Sequence, residues 1–196
     1  PWHNRDASRW RWSHRLFLAL IAVTEQTTMP LTFQSLLSTE NVFIDVEAGS
    51  KKHALQILSQ RLSDTAPASS SDDIFDALLE RERWGCTATE GGVAVPHARL
   101  AGVIDACACV LRLHAPIDFD SPQDEKVDIL FGFIVADDAD EMVTEQLRLL
   151  TQRILDSSLI QALREAPEPM ALFDVLKHDD DAAERLAASQ LASGQG

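Results

Sequence analysis

The stretch of this sequence best equipped for chemistry is Gly91-Gly92-Val93-Ala94-Val95-Pro96-His97-Ala98-Arg99. Imidazole changes charge near neutral pH, so a histidine held in one orientation can serve as a nucleophile, a general base or a metal ligand. Pro96 fixes its own φ and biases Val95 toward an extended backbone, so a short apolar strand should deliver His97 at its end in a defined direction. The two upstream glycines permit positive φ or a close backbone approach. On residue type alone, a loop histidine that merely satisfies its own hydrogen bonds is an equal alternative.

Other chemistries fare worse on spacing. Metal ligands need company at short range, and His97 lies in no H-x-x-x-H or H-x-H and beside no Cys pair, so no metal is expected. Neither G-x-x-x-x-G-K-[ST] nor G-x-G-x-x-G occurs, so Gly91-Gly92 does not read as a nucleotide loop and no cofactor is expected. Cys86 with His97 would make a thiol nucleophile only if the fold brought them together, and no third member is recognisable. Three cysteines without a C-x-x-C pair suit a reducing compartment such as the cytoplasm. Cys107 and Cys109, two apart in an apolar run, should share one face of a strand.

Whatever positions His97 must come from a body of modest size. The chain has 196 residues, 45% hydrophobic and 24% charged, which suits one compact domain. Its 17 basic and 31 acidic residues give a net −14, a balance that disfavours nucleic acid as a partner. The charge is uneven. Residues 1–28 hold Arg5, Arg9, Arg11 and Arg15 with Trp2, Trp10 and Trp12, whereas residues 29–196 hold 13 basic and 29 acidic groups, net −16. The apolar run Leu16–Val23 lacks a clear small-x-small cleavage site and is far short of the roughly 20 residues that span a bilayer, so no stable membrane insertion is expected. The organisation read from these features is a basic, Trp-rich extension over 1–28 outside the fold, a domain over 29–178 opening at Met29, and a polar tail over 179–196. An amphipathic arm on an anionic surface is the competing reading of the extension.

Within the body, apolar runs alternate with helical periodicity, as in an α/β domain. Asn41–Val46 reads as a strand. A helix capped by Ser50 follows over Lys51–Leu62, with Ala54, Leu55, Leu58 and Leu62 on one stripe. A second helix runs from about Asp72 to just before Gly85. Cys86–Arg99 shows no clean period and reads as a functional loop at a strand edge. Asp105–Leu113 and Val127–Val135 are the best strands, the second apolar enough for a sheet covered on both faces. His114–Lys126 reads as a turn. A long helix over Asp140–Leu155 and two shorter ones over Leu159–Arg164 and Pro169–Lys177 complete the domain, with a frayed tail from Asp179.

Leu79-Glu80-Arg81-Glu82-Arg83-Trp84-Gly85-Cys86-Thr87, followed by Gly92-Val93-Ala94-Val95-Pro96-His97-Ala98-Arg99, resembles the phosphoacceptor region of type-2 enzyme IIA domains of the bacterial phosphoenolpyruvate phosphotransferase system. The family pattern runs approximately L-x-R-E-x-x-G-S-T-G-I-G-x-G-I-A-I-P-H-G-[KR]. The likeness extends from about Pro30 to Lys177, and the opening L-L-S-T-E-N-V-F-I-D-V looks like the nitrogen-regulatory branch. This resemblance implies a mixed β-sheet flanked by helices on both faces. It implies that His97 is phosphorylated on its tele nitrogen by an HPr-like phosphocarrier, with no cofactor or metal, and that phosphorylation state controls target proteins such as potassium transport or sensor proteins. It places Arg81 on the phosphoryl group, with Arg99 adding positive potential and Thr87 donating a hydroxyl or an N–H. Glu82 is assigned to helix and loop support. A fructose- or mannitol-type sugar-specific IIA is the nearest alternative, and an interaction module without phosphoryl transfer is a second. Cys86 departs from the family serine, Ala88 and Glu90 from glycines, and Val143 stands where many members carry a second histidine.

Overall fold

Each of the longer helices up to residue 165 starts where a Ser or Asp side chain can accept from the free N–H groups of the first turn. In the computed structural model, which describes residues 31–66 and 69–193, Ser50 accepts from His53 N and opens α2 (Lys51–Thr65). Ser70 does the same through Asp73 N for α3 (Ser71–Trp84), Asp140 through Val143 N for α4 (Glu141–Ile154), and Asp156 through Ser158 and Leu159 for α5 (Ser157–Glu165). A single turn, α1 (Phe33–Leu36), precedes them. The extension read over 1–28 lies outside the described residues.

The strands are β1 (Val42–Val46), β2 (Ala88–Thr89), β3 (Val93–Ala94), β4 (His97–Leu100), β5 (Cys107–Ile117) and β6 (Val127–Ala136). They form one mixed sheet in the order β1-β5-β6-β3-β2, with β4 also pairing β6. The β5–β6 and β2–β3 pairs are antiparallel, while β1 on β5 and both β3 and β4 on β6 are parallel. Helices cover both faces, as the apolar run of β6 requires. On one face α2 and α3 bury Leu55, Leu58, Leu62, Ile74 and Leu78 against Cys109, Leu111, Leu130 and Ile134. On the other, Phe33, Leu150, Ile154, Leu159 and Leu163 pack on Val110, Ile129, Phe131 and Phe133. Cys107 and Cys109 share the first of these faces, as their spacing predicts.

Three expectations change. The strand read over Asp105–Leu113 is β5, which runs on to Ile117, so the first residues of His114–Lys126, read as a turn, extend the strand and Ile117 pairs with Val127 past an irregularity in the register. The segment 86–99, read as a loop, contains β2, β3 and the start of β4; strands of two to four residues are too short to show a period. The largest change is at the C-terminus. The helix expected over Pro169–Lys177 is the 25-residue α6 (Pro169–Ser193), so the tail read from Asp179 is helical where it is described. Asp180 is 1% exposed, and its carboxylate accepts from Phe33 N at 3.2 Å, Gln34 N at 2.8 Å and Arg153 Nη2 at 2.7 Å. Arg153 also pairs with Asp179. Acidic residues that look like solvated tail in one dimension close the first turn of α1 in three.

Candidate functional site

His97 opens β4 at the edge of the sheet, and its orientation follows from an interruption in the strand. Val93↔Ile129 and His97↔Phe133 pair in the same register, so β3 and β4 are two halves of one parallel line along β6. Pro96 has no N–H to contribute, but its carbonyl accepts from Phe133 N at 3.0 Å and keeps the line in register. Val95 N donates to Thr87 O at 2.9 Å, and the Val95 carbonyl is left to meet a side chain. Upstream, the β2–β3 hairpin turns through Gly91 (φ 82°) and Gly92 (φ 76°), the conformation for which glycine was expected.

The Val95 carbonyl meets His97 Nδ1 at 2.9 Å, and Arg81 Nε lies 3.1 Å from His97 Nε2. A carbonyl only accepts and a guanidinium only donates, so together they select one tautomer, with the proton on Nδ1 and the lone pair on Nε2. Desolvation by the surrounding protein pushes the His97 pKa below its ordinary value; the Val95 hydrogen bond opposes this and the Arg81 charge reinforces it. The ring is therefore held neutral, exposed and nucleophilic at Nε2. Arg81 Nη1 donates to Gly85 O at 3.0 Å, so the guanidinium is steadied by the end of its own helix without meeting a carboxylate.

Thr87 is placed differently from the expectation. Its N–H (3.0 Å) and its hydroxyl (2.5 Å) both donate to the Glu82 carboxylate, and it is 6% exposed, so its donors are committed away from His97. Lys51 Nζ completes the set, 2.8 Å from Glu82. Glu82, 7% exposed, thus ties α2, α3 and the strand leading to Val95, in keeping with a support role. Cys86 Sγ donates to Phe119 O at 3.2 Å, and burial raises the thiol pKa, so this group is neither a thiolate nor aimed at the imidazole.

Arg99 lies two residues along β4 and on the same face as His97. Its guanidinium donates to Ala139 O at 2.9 Å and to Thr144 Oγ1 at 2.7 Å, and so fastens β4 to the start of α4. A cleft of about 410 Å³ beside His97 is floored by Val95, Phe133, Val135 and Leu147 and rimmed by Arg99, Thr144 and Arg148. A second, of about 370 Å³, is lined by Arg81, Trp84, His97 and Arg99 with Ala77 and Glu80. Val143 lines neither cleft; Thr144, its neighbour, lines the first. Glu90 sits in the β2–β3 hairpin turn and lines neither. Thr144, Arg148 and Trp84 were not singled out from sequence. The helical spacing of Thr144 and Arg148 was the only signal for them, and it did not say which sheet edge that face would meet. Among the described residues no group of three or more His, Cys, Asp or Glu gathers as a metal site, and no helix is long and apolar enough to cross a membrane.

A neutral histidine whose Nε2 lone pair lies under an arginine, on the edge of a mixed sheet, is an arrangement able to accept a small anionic electrophile at that nitrogen. The sequence pattern of the family described as "Phosphoenolpyruvate-dependent sugar phosphotransferase system, EIIA 2" matches residues 35–179, and the chain belongs to that family. Within it, the chain is 32% identical over 146 residues to the nitrogen regulatory protein of Pseudomonas aeruginosa, covering 74% of this chain and 95% of that one. The crystal structure of nitrogen regulatory protein IIA-Ntr from Neisseria meningitidis superposes with a TM-score of 0.66 at 28% identity, over 72% of this chain and 97% of that one. The IIA mannitol structure from Escherichia coli superposes at 0.60 with 20% identity, over 71% and 98% of the two chains, a likeness of fold.

Proposed function

We propose that this protein is a phosphocarrier of the nitrogen-regulatory branch, accepting a phosphoryl group on His97 Nε2 from an HPr-like protein. Its phosphorylation state then regulates target proteins in the cytoplasm, potassium transport and sensor proteins being the class of target. The observation that carries this reading is the Val95–His97–Arg81 arrangement, which leaves Nε2 as the sole lone pair of the ring and sets an arginine donor directly on it. Likeness to nitrogen regulatory proteins supports this branch over a sugar-specific fructose- or mannitol-type component.

In the transfer, the Nε2 lone pair forms a bond to phosphorus as the donor's N–P bond breaks, and that electron pair returns to the donor ring. Nδ1 keeps its proton, so the ring gains positive charge as the phosphoryl group arrives, and the Val95 carbonyl stabilises that charge. Arg81 must give up its bond to Nε2 and move its N–H groups onto the phosphoryl oxygens, pivoting on the Gly85 carbonyl. Its planar fork suits those oxygens, and most of the catalytic effect in such transfers is positioning and charge stabilisation. Arg99 contributes positive potential while holding α4 in place. Thr87 acts indirectly, through Glu82, by fixing the strand that presents the Val95 carbonyl.

The test is incubation of the full chain with phosphorylated HPr-like protein and mass spectrometry under non-acidic conditions. The expected result is one acid-labile phosphoryl group that is absent in His97→Ala. A gain that survives His97→Ala overturns the reading. No gain in the wild type favours the second reading, an interaction module on the same fold, for which Val143 in place of a histidine is the specific observation.

A further inference from the structure

The C-terminal residue of α3 is Trp84, and 81% of its surface is exposed. Single exposed apolar residues are common and need no explanation. Trp84 differs from Ile104, which is 88% exposed, in that it shares a cleft with the reacting atom while Ile104 lines neither cleft at His97. Its position follows from the helix stop: Gly85 N closes onto Glu82 O, α3 ends, and the indole stands three residues beyond Arg81 on the rim above His97. Nothing in the catalytic arrangement uses it.

We propose that Trp84 and the cleft it shares with His97 are the docking surface for the phosphohistidine-bearing face of the donor protein, with the indole as its apolar anchor. The proposal rests on His97 being the phosphoacceptor. Transfer between two imidazoles requires the donor's phosphorus to approach His97 Nε2 to about 3–3.5 Å, in line with the breaking N–P bond and with water excluded. A donor ring carried on a protein surface therefore brings the surrounding surface down over the walls of this cleft, and Trp84 is the large apolar wall that is otherwise wet. Tryptophan is the residue type from which the most binding energy is gained when such a wall is covered.

Charge selects the same occupant. The body as a whole is strongly acidic, yet the ionic groups lining this cleft are Arg81 and Arg99 against Glu80 alone. An anionic phosphoryl group at the centre of an uncharged flank complements that pattern, with the phosphoryl between the arginines and the apolar flank on the indole. A uniformly basic donor face would be repelled at this spot, so the acidity of the body as a whole acts at a distance, on approach.

The experiment compares two donors on the full chain: phosphorylated HPr-like protein, and phosphoramidate, a small donor that needs no protein docking. Trp84→Ala is expected to raise the KM for the protein donor by about tenfold or more, with kcat changed less than about threefold, consistent with the loss of one interface anchor. Labelling of His97 by phosphoramidate should stay at the wild-type rate, and Trp84→Phe should recover most of the protein-donor affinity. An unchanged KM in Trp84→Ala overturns the proposal and leaves the phosphoacceptor reading standing. An equal loss with both donors overturns it too, since Trp84 would then be supporting the site itself. If sedimentation shows a wild-type dimer that Trp84→Ala dissociates, the surface belongs to a second copy of the chain and the donor proposal fails. Wild-type protein that neither donor labels at His97 removes the phosphoacceptor reading, and the docking proposal with it.

Discussion

At the junction of α6 with α1, Arg153 closes on two carboxylates, Asp179 and Asp180, and lays its guanidinium 4.7 Å from the centre of the Phe33 ring. At the edge of the sheet, Arg81 meets a neutral imidazole and one carbonyl. Both side chains are arginines held by oriented acceptors, yet only the first has its charge neutralised. Glu82, next to Arg81 in sequence, points instead to Thr87 and Lys51, so the carboxylate that could have quenched Arg81 is taken by another cation. The difference separates an arginine that holds the fold together from one whose charge is still available to an arriving anion.

Substitutions that remove each centre should therefore fail in different assays. His97→Ala is expected to abolish phosphorylation outright while thermal unfolding stays close to wild type, because the ring is exposed and packs little. Arg81→Ala should slow phosphorylation by about 10²- to 10³-fold, the usual cost of one preorganised donor to a transition-state oxygen, with stability changed by less than about 0.5 kcal/mol. Arg81→Lys should recover only part of that rate, since an ammonium restores the charge without the fork. Stopped or quenched single-turnover labelling reads both, and a wild-type rate in Arg81→Ala would remove the contrast between the two arginines.

Asp180→Ala should do the reverse. It leaves the Phe33 and Gln34 amides without their acceptor while Arg153 keeps Asp179, and unsatisfied buried donors typically cost about 1–3 kcal/mol each. Urea unfolding should show that loss, while phosphoramidate labelling of His97 under folding conditions keeps its wild-type rate. Loss of labelling in a folded Asp180→Ala protein would mean the two regions are coupled.

The smallest effect is on pH. Because desolvation and Arg81 together hold the His97 pKa below the ordinary value of about 6.5, the nucleophilic neutral ring should persist at pH values where a free histidine is mostly protonated. Labelling by phosphoramidate should thus reach half its plateau below pH 6.5 and stay flat above it. Arg81→Ala removes one of the two lowering influences, so its midpoint should move upward. An NMR titration of the ring gives the same midpoint without the transfer step, and a midpoint that moves downward in the variant would contradict the arrangement.

Much of this site could be read in one dimension, for reasons that differ by residue. Pro96 constrains its neighbours through local sterics, so the presentation of His97 at a strand end follows from the dipeptide itself. Ser50, the α2 stripe and the apolar run of β6 are likewise local signals, and they lie where the periodicity puts them. Arg81 was reached through the family resemblance, and the fold brings it to His97 across 16 residues of chain. The resemblance gives Thr87 a donor role at the site; the structure spends its hydroxyl on Glu82, which Lys51 of α2 also meets. Asp179 and Asp180 were read as the start of a solvated tail because charge and small residues look like tail, and their partners lie 26 and 27 residues back in α4 and 146–147 back in α1.

By itself, the sequence determined the alternation of strands and helices, the glycines and proline that shape the approach to His97, and a residue there of the type that can act as a nucleophile. These are short-range properties, set by backbone sterics and by side-chain periodicity within a few residues. Only the tertiary structure decided which imidazole nitrogen is free, which arginine keeps its charge, and which tryptophan stands beside the reacting atom. Some of the deciding groups are near in sequence, such as the Val95 carbonyl, but Arg81 reaches His97 from α3 and Lys51 reaches Glu82 from α2, and no local pattern encodes which of these side chains meet.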